Sequence, residues 1–407
     1  MNRYCFLQAS PLREAFFVHM NVDICRTTVV ELFIKMRLSL VFALLITPLA
    51  SLAQTDISTP LSKRDSVVTP YKNKLLIFPL TARSIETNWV FGVANAFIFK
   101  TNKKDTALRV STIPSGFIYT LNNQILLAIG ANIFLPKERY IIRFENSFSK
   151  FPDKFWGIGN RTDGKKPESY TFTQFYINPQ LYRKVKGNLF LGGGFDFQRV
   201  FNLEYEPGGY FDQDQVLGAY DLRDYNVFGY SLFINYDSRN HAYQPNRGVL
   251  FRVKFSDFNK ALVSDYDFRV LEIDFRRFIK VFGGNILAFQ SFSTFNFGNV
   301  PYRNLAILGG NNMMRGYYAG RYRDKKAVTA QVEYRFPIIG RFAGVAFASA
   351  GQVANDFDDF DWKLIKPAVG AGIRFAVLRQ EKLNLRFDLA AGNSGELNYY
   401  IVLAESF

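Results

Sequence analysis

The chain has 407 residues, with 50 Lys and Arg against 35 Asp and Glu, 43 Phe, 22 Tyr, 2 Cys and 2 His. So few Cys and His argue against disulfide frameworks, thiolate or imidazole metal centres and nucleophilic triads. A formal charge of +15 raises nucleic acid as a partner, but there is no basic recognition helix, zinc knuckle or aromatic RNA-binding signature to receive it.

Residues 1–35 show no clear period. They lead into Lys35-Met36-Arg37, an apolar run from Leu38 to Ile46, and Thr47-Pro48-Leu49-Ala50-Ser51-Leu52-Ala53. A basic start, a short apolar core and a small-x-small end describe a secretory signal peptide over 36–53, cut after Ala53. The core is too short for a spanning helix, which needs about 20 residues. Because such signals normally open a chain, residues 1–35 read either as a mis-annotated upstream extension or as a long leader. Cys5, Cys25 and His19 all precede the cut, so the exported chain would keep no Cys, one His (His241), and 45 Lys and Arg against 32 Asp and Glu. For an exported protein, outer-membrane lipid, including anionic lipid, suits that excess better than nucleic acid. The other reading is charge that serves only loop solubility. Residues 54–70 are polar and read as a short periplasmic lead.

From Tyr71 onward, segments of about ten residues alternate apolar with polar side chains, as strands do. Tyr230, Leu232, Ile234 and Tyr236 alternate with Ser231, Asn235 and Asp237; Val249, Phe251, Val253 and Phe255 with Arg252, Lys254 and Ser256; Leu383, Leu385, Phe387 and Leu389 with Asn384, Arg386 and Asp388. About sixteen strands are expected, near 72–80, 88–100, 109–121, 124–135, 139–149, 169–184, 187–200, 226–238, 248–258, 264–279, 284–297, 326–336, 340–352, 365–377, 383–391 and 397–407. Parity alone fits a soluble sandwich as well as a barrel. Export, the unbroken run of strands and the aromatic load favour an all-β transmembrane antiparallel barrel, the one sheet that leaves no edge in hydrocarbon. Arg269 and Arg277 share parity with Leu271, Ile273 and Phe275, where they can snorkel to the two borders of the lipid-facing band. Tight turns at 184–188 and 338–340 and long loops at 150–168, 201–225 and 298–326 fall on opposite ends, as in barrels with periplasmic turns and surface loops.

The segment from Gly309 to Asp324, Gly309-Gly310-Asn311-Asn312-Met313-Met314-Arg315-Gly316-Tyr317-Tyr318-Ala319-Gly320-Arg321-Tyr322-Arg323-Asp324, is a long loop by every local signal, and loops of that length are usually functional or disordered. It precedes a strand carrying Glu333 and Arg335-Phe336-Pro337. This pattern resembles the sixth surface loop of the BamA/TamA outer-membrane assembly barrels, also called bacterial surface antigens. The resemblance implies that the loop folds into the barrel lumen and that Arg315 pairs with acidic wall residues, since a confined guanidinium needs a carboxylate fork. Parity puts Glu333 on the polar face. The family usually shows Phe-x-Asp-x-Gly on the next strand, where this chain has Phe347-Ala348-Ser349-Ala350-Gly351; Ser349 brings no charge, so a weaker lock is expected. Tyr236-Asp237-Ser238-Arg239-Asn240 with Pro245, Arg247 and Gly248 resembles a turn of the family, and Phe155-Trp156-Gly157-Ile158-Gly159-Asn160 a loop of members without POTRA modules. Gly370-x-Gly372-x-Arg374 resembles a late strand, with both glycines expected to leave lumen space for the inserted loop. Phe407 resembles the aromatic carboxy-terminal signal of such barrels. Ile401, Leu403 and Glu405 share its face, which would put the carboxylate at the headgroup border.

The resemblance implies a bacterial outer-membrane protein over 71–407 that helps unfolded or secreted polypeptides insert or cross. The lead over 54–70 is too short for a POTRA module, so a separate periplasmic recruiting partner is expected. The alternative is a passive pore, receptor or structural barrel. No cofactor is implied. His241, beside Asp237 and Ser238, reads as a turn residue rather than a catalytic base.

Overall fold

The computed structural model describes residues 71–407 except 85–87, 106–107, 122–123, 163–165, 206–208, 210–223, 242–243, 379–382, 394–396 and 404; the expected signal peptide, upstream extension and lead lie outside the described residues. The strands are β1 (Lys74–Ser84), β2 (Asn88–Phe99), β3 (Ser111–Thr120), β4 (Ile125–Phe134), β5 (Tyr140–Phe155), β6 (Glu168–Lys186), β7 (Leu189–Tyr205), β8 (Tyr225–Asp237) and β9 (Gly248–Phe258). They continue with β10 (Phe268–Lys280), β11 (Ile286–Gly298), β12 (Ala306–Leu308), β13 (Tyr322–Asp324), β14 (Lys326–Ile339), β15 (Phe342–Ala354), β16 (Lys366–Leu378), β17 (Leu383–Ala391) and β18 (Leu397–Leu403). Sixteen form one antiparallel sheet in sequence order, with β11 paired to β14; β12 and β13 make a separate hairpin.

Alternation places side chains on two unlike faces. On β8, Leu232 and Ile234 are 57% and 45% exposed, while Ser231, Asn235 and Asp237 are buried. A soluble sheet would bury the first set and wet the second, so the exposed apolar side is a lipid-facing surface and the sheet encloses a polar interior. Among the described residues the bulkiest fully buried side chains are four arginines, Arg315, Arg323, Arg374 and Arg386. No described helix is long and apolar enough to cross a membrane; in this barrel the strands cross it.

Curvature brings distant strands together across that interior. Phe407, just past β18, lies 6.0 Å from Phe278 of β10, centroid to centroid. The segment between β11 and β14 touches β5, β6, β14 and β17. It sits on the long-loop side (hereafter the loop end) and folds inward. Tight turns such as that joining β6 to β7 lie at the opposite, turn end.

Sequence periodicity placed most strand boundaries within a few residues, but β5 and β7 run on to Phe155 and Tyr205, past the expected ends at 149 and 200, and two further features differ. Residues 405–407 are not strand: β18 ends at Leu403, and the chain then bends inward. The three-residue strands β12 and β13 lie within 298–326, which was expected to be loop throughout.

Candidate functional site

The inward segment is built as a closed tip on a short stem. Ala306 pairs with Asp324 and Leu308 with Tyr322. Beyond the stem, the Gly310 N–H donates to the Tyr317 carbonyl at 3.0 Å and the Tyr317 N–H to the Met314 carbonyl at 3.2 Å, leaving Arg315 at the apex. Gly316 has φ +109°, and a Cβ there would come within 2.8 Å of the Ala391 backbone at the end of β17. Only glycine accepts both that conformation and that approach. Gly309 (φ +112°) is closed in by the Tyr318 carbonyl, and Gly310 also has positive φ.

Arg315 is fully buried and held as a fork. One terminal nitrogen pairs with Glu333 of β14, the other donates to Asp388 of β17 at 2.7 Å, and the guanidinium lies 3.5 Å over the Phe347 ring. Arg335 Nε binds the second oxygen of Glu333 at 2.7 Å. Arg374 pairs with Asp388 and, at 2.8 Å, with Glu405; Arg386 donates to the Asn311 carbonyl at 3.0 Å. The charges are thus shared among three strands, the loop and the segment after β18. Such a network tolerates burial only while every carboxylate keeps its partners.

Backbone groups around Arg315 are also fixed. Gly316 donates its N–H to the Tyr400 hydroxyl at 2.8 Å and accepts at its carbonyl from Asn398 at 3.0 Å, both on β18. The Tyr317 hydroxyl donates to the Pro367 carbonyl and accepts from the Asn393 N–H, each at 2.8 Å. The Asn312 carbonyl receives Gln331 at 2.7 Å and Ser406 at 2.6 Å.

Several expectations need correction. Ser349 is not the second partner of Arg315: its hydroxyl is buried and meets no hydrogen-bond partner among the described residues, and Asp388, two strands further on, supplies the second carboxylate. The weaker lock inferred from Ser349 therefore does not follow. Gly370 and Gly372 do face the interior, but the space they leave is taken by the Phe347 ring and by Asp388 with Arg374, the wall that holds the loop. Gly351 instead leaves room for Leu308 of the stem. Phe407 is 3% exposed and packs inside on Phe278 and Ala288, with Arg335 donating to its carbonyl at 3.1 Å. Glu405 is likewise inside, held by Arg374 and Asn384, and not at a headgroup border.

A second anchor, unforeseen from sequence, lies nearer the loop end. Asp153 of β5 receives Arg303 at 2.6 Å, the Tyr170 hydroxyl at 2.7 Å and the Tyr318 hydroxyl at 3.2 Å, with Arg323 at 3.9 Å. Phe155 and Tyr302 pack edge to face beside it. The Phe155–Asn160 motif caps this anchor: the Gly159 N–H donates to the Arg323 carbonyl at 2.9 Å, and Arg321 lies over Trp156. Asp388 carried a usable signal, since it sits on the polar face of β17; Asp153 carried none, because its strand was expected to end at 149.

Changing Gly316 to Val should cost about 1–3 kcal/mol through backbone strain. It should lower the temperature at which the unheated, compact gel band is lost; an unchanged transition would show that the tip is not held against β17.

The fold and its interior can be set beside known proteins. An Omp85 superfamily domain model matches residues 122–396. No curated protein matches the sequence significantly. Among solved structures, BamA from Haemophilus ducreyi lacking POTRA domains 1-3 superposes with a TM-score of 0.55 at 13% identity, covering 82% of this chain and 70% of that one. CdiB from Escherichia coli gives 0.56 at 11% identity, and CdiB from Acinetobacter baumannii 0.52 at 11%, each over 82% of this chain. The matches span only 62% and 59% of those two CdiB chains. At such identities the superpositions speak for the barrel fold, while the domain match spans well over half of the sequence. This outer-membrane β-barrel belongs to the Omp85 superfamily.

Proposed function

We propose that the barrel assists insertion or translocation of polypeptides at the bacterial outer membrane. The observation that carries this reading is the seam. Among the described residues β1 pairs only with β2 and β18 only with β17, so the first and last strands of the sheet each keep one edge without a ladder. An unpaired edge can template an incoming strand by β-augmentation. β18 is also the shortest strand of the large sheet, with seven residues. A passive pore fits less well, because the interior is crossed by the Arg315 tip and by residues 405–407. Client recruitment would fall to a separate periplasmic partner.

The test is reconstitution in liposomes with an unfolded outer-membrane protein. Faster client insertion than in empty vesicles supports the reading, and cysteine pairs cross-linking β1 to β18 should abolish the acceleration. Steady ion conductance without acceleration would support the pore instead.

A further inference from the structure

The two ends of the barrel differ in charge. At the turn end, Lys74, Lys103, Lys137, Lys186, Arg247 and Lys280 are all exposed, and they belong to successive positions around the rim from β1 to the β10–β11 turn. Of the four acidic residues described there, Asp237 is buried and Asp105, Glu138 and Glu405 are half-buried, so none is fully exposed. Glu138 is engaged by Arg109, Asp237 by Arg239 at 3.1 Å, and Glu405 by Arg374. At the loop end the exposed charges are mixed, with Asp224, Asp265, Asp267, Asp356, Asp358 and Asp359 standing among Arg161, Lys166, Lys260, Arg269 and Lys363. Among the described residues, exposed cations at the turn end thus stand without an exposed carboxylate beside them.

That rim also borders the apolar belt directly. Arg183 is exposed on the same face of β6 as Leu181 and Val185, and Arg277 on the same face of β10 as Ile279. Phe282 (95% exposed) and Ile339 (74%) project among the cations. Guanidinium and ammonium groups that snorkel from an apolar surface, with aromatic and aliphatic tips between them, suit a plane of lipid headgroups. A folded acidic partner would need one localised patch, whereas these charges follow the circumference.

We infer that the turn end is a cationic collar that binds the phosphate groups of anionic glycerophospholipids in the adjoining leaflet. It would fix the depth and tilt of the barrel at that leaflet, whether or not the seam admits a client.

The test uses the full barrel in phosphatidylcholine bilayers containing trace spin-labelled phosphatidylglycerol or phosphatidylcholine, reading the motionally restricted lipid. Phosphatidylglycerol should be preferred by roughly five- to tenfold, and the preference should fall to within about twofold of unity at about 0.5 M NaCl. The combined variant Lys103→Gln, Lys137→Gln, Lys186→Gln, Lys280→Gln should lose it in the same way. Lys260→Gln with Lys363→Gln, at the loop end, should retain it. All variants are first checked for the heat-dependent gel shift of a folded barrel. Equal selection by wild type, or loss as large in the loop-end variant, would overturn the inference. So would an unchanged lipid ratio in the turn-end variant accompanied by lost binding of soluble polyglutamate, which would assign the collar to an acidic protein.

Discussion

Replacing Arg315 by Ala should destabilise the folded barrel by about 3–5 kcal/mol, the usual consequence of removing one partner from a buried ion pair. Glu333 and Asp388 would each lose a charged donor, and neither can reach water to recover it. Arg335 and Arg374 remain and soften the loss, because each already pairs with one of these carboxylates. The deletion also empties the space above Phe347. Urea unfolding in lipid, followed by the gel shift, measures the effect. Arg315→Lys should recover only part of it, since an ammonium is a point charge and cannot span two carboxylates on different strands. Stability within 1 kcal/mol of wild type on the Ala change, a bound drawn from ordinary surface substitutions, would remove Arg315 from the lock.

The Asp153→Ala change should be of similar size, about 3–5 kcal/mol, but should act locally. It strips Arg303 and the nearby Arg323 of their carboxylate in a buried aromatic setting and leaves the Tyr170 and Tyr318 hydroxyls short of an acceptor. The stem of the inward segment stands on this anchor, whereas the tip stands on Glu333 and Asp388. Protease cleavage within 299–325, offered from the loop end, should therefore rise before the strands unfold. Asp153→Asn should retain acceptance from the tyrosines while losing the charge, and should fall between the two. Cleavage that rises only with global unfolding would show that the two anchors form one cooperative unit.

What could be read from sequence follows from the range of the forces involved. Strand positions are local: the period of two along β8, β9, β10 and β17 marks faces whatever lies across the barrel. The inward folding of the loop came from the family resemblance of the Arg315 segment, and the polar parity of Glu333 agreed with it. The second carboxylate was misplaced because pairing across an interior depends on the order in which strands meet. Ser349 stood where the family motif put an acid, while Asp388 stood on the correct face of a strand 73 residues beyond Arg315. The exit of the chain after Leu403 left no local mark either. Residues 405–407 keep the composition of a strand end, and it is contacts distant in sequence, with Arg335, Arg374, Asn384 and Asn312, that draw them inward. Likewise the stem of β12 and β13 is set by its packing against β14 and β15 rather than by its own pattern.

The most direct measurement is a double-mutant cycle between loop and wall, with Arg315→Ala and Asp388→Asn made singly and together and unfolding free energies compared in lipid. A tip seated inside the barrel predicts a coupling of about 2 kcal/mol, within the range for residues in direct contact. Additive losses would mean that the two side chains do not meet, and that the segment between β11 and β14 does not lie in the interior.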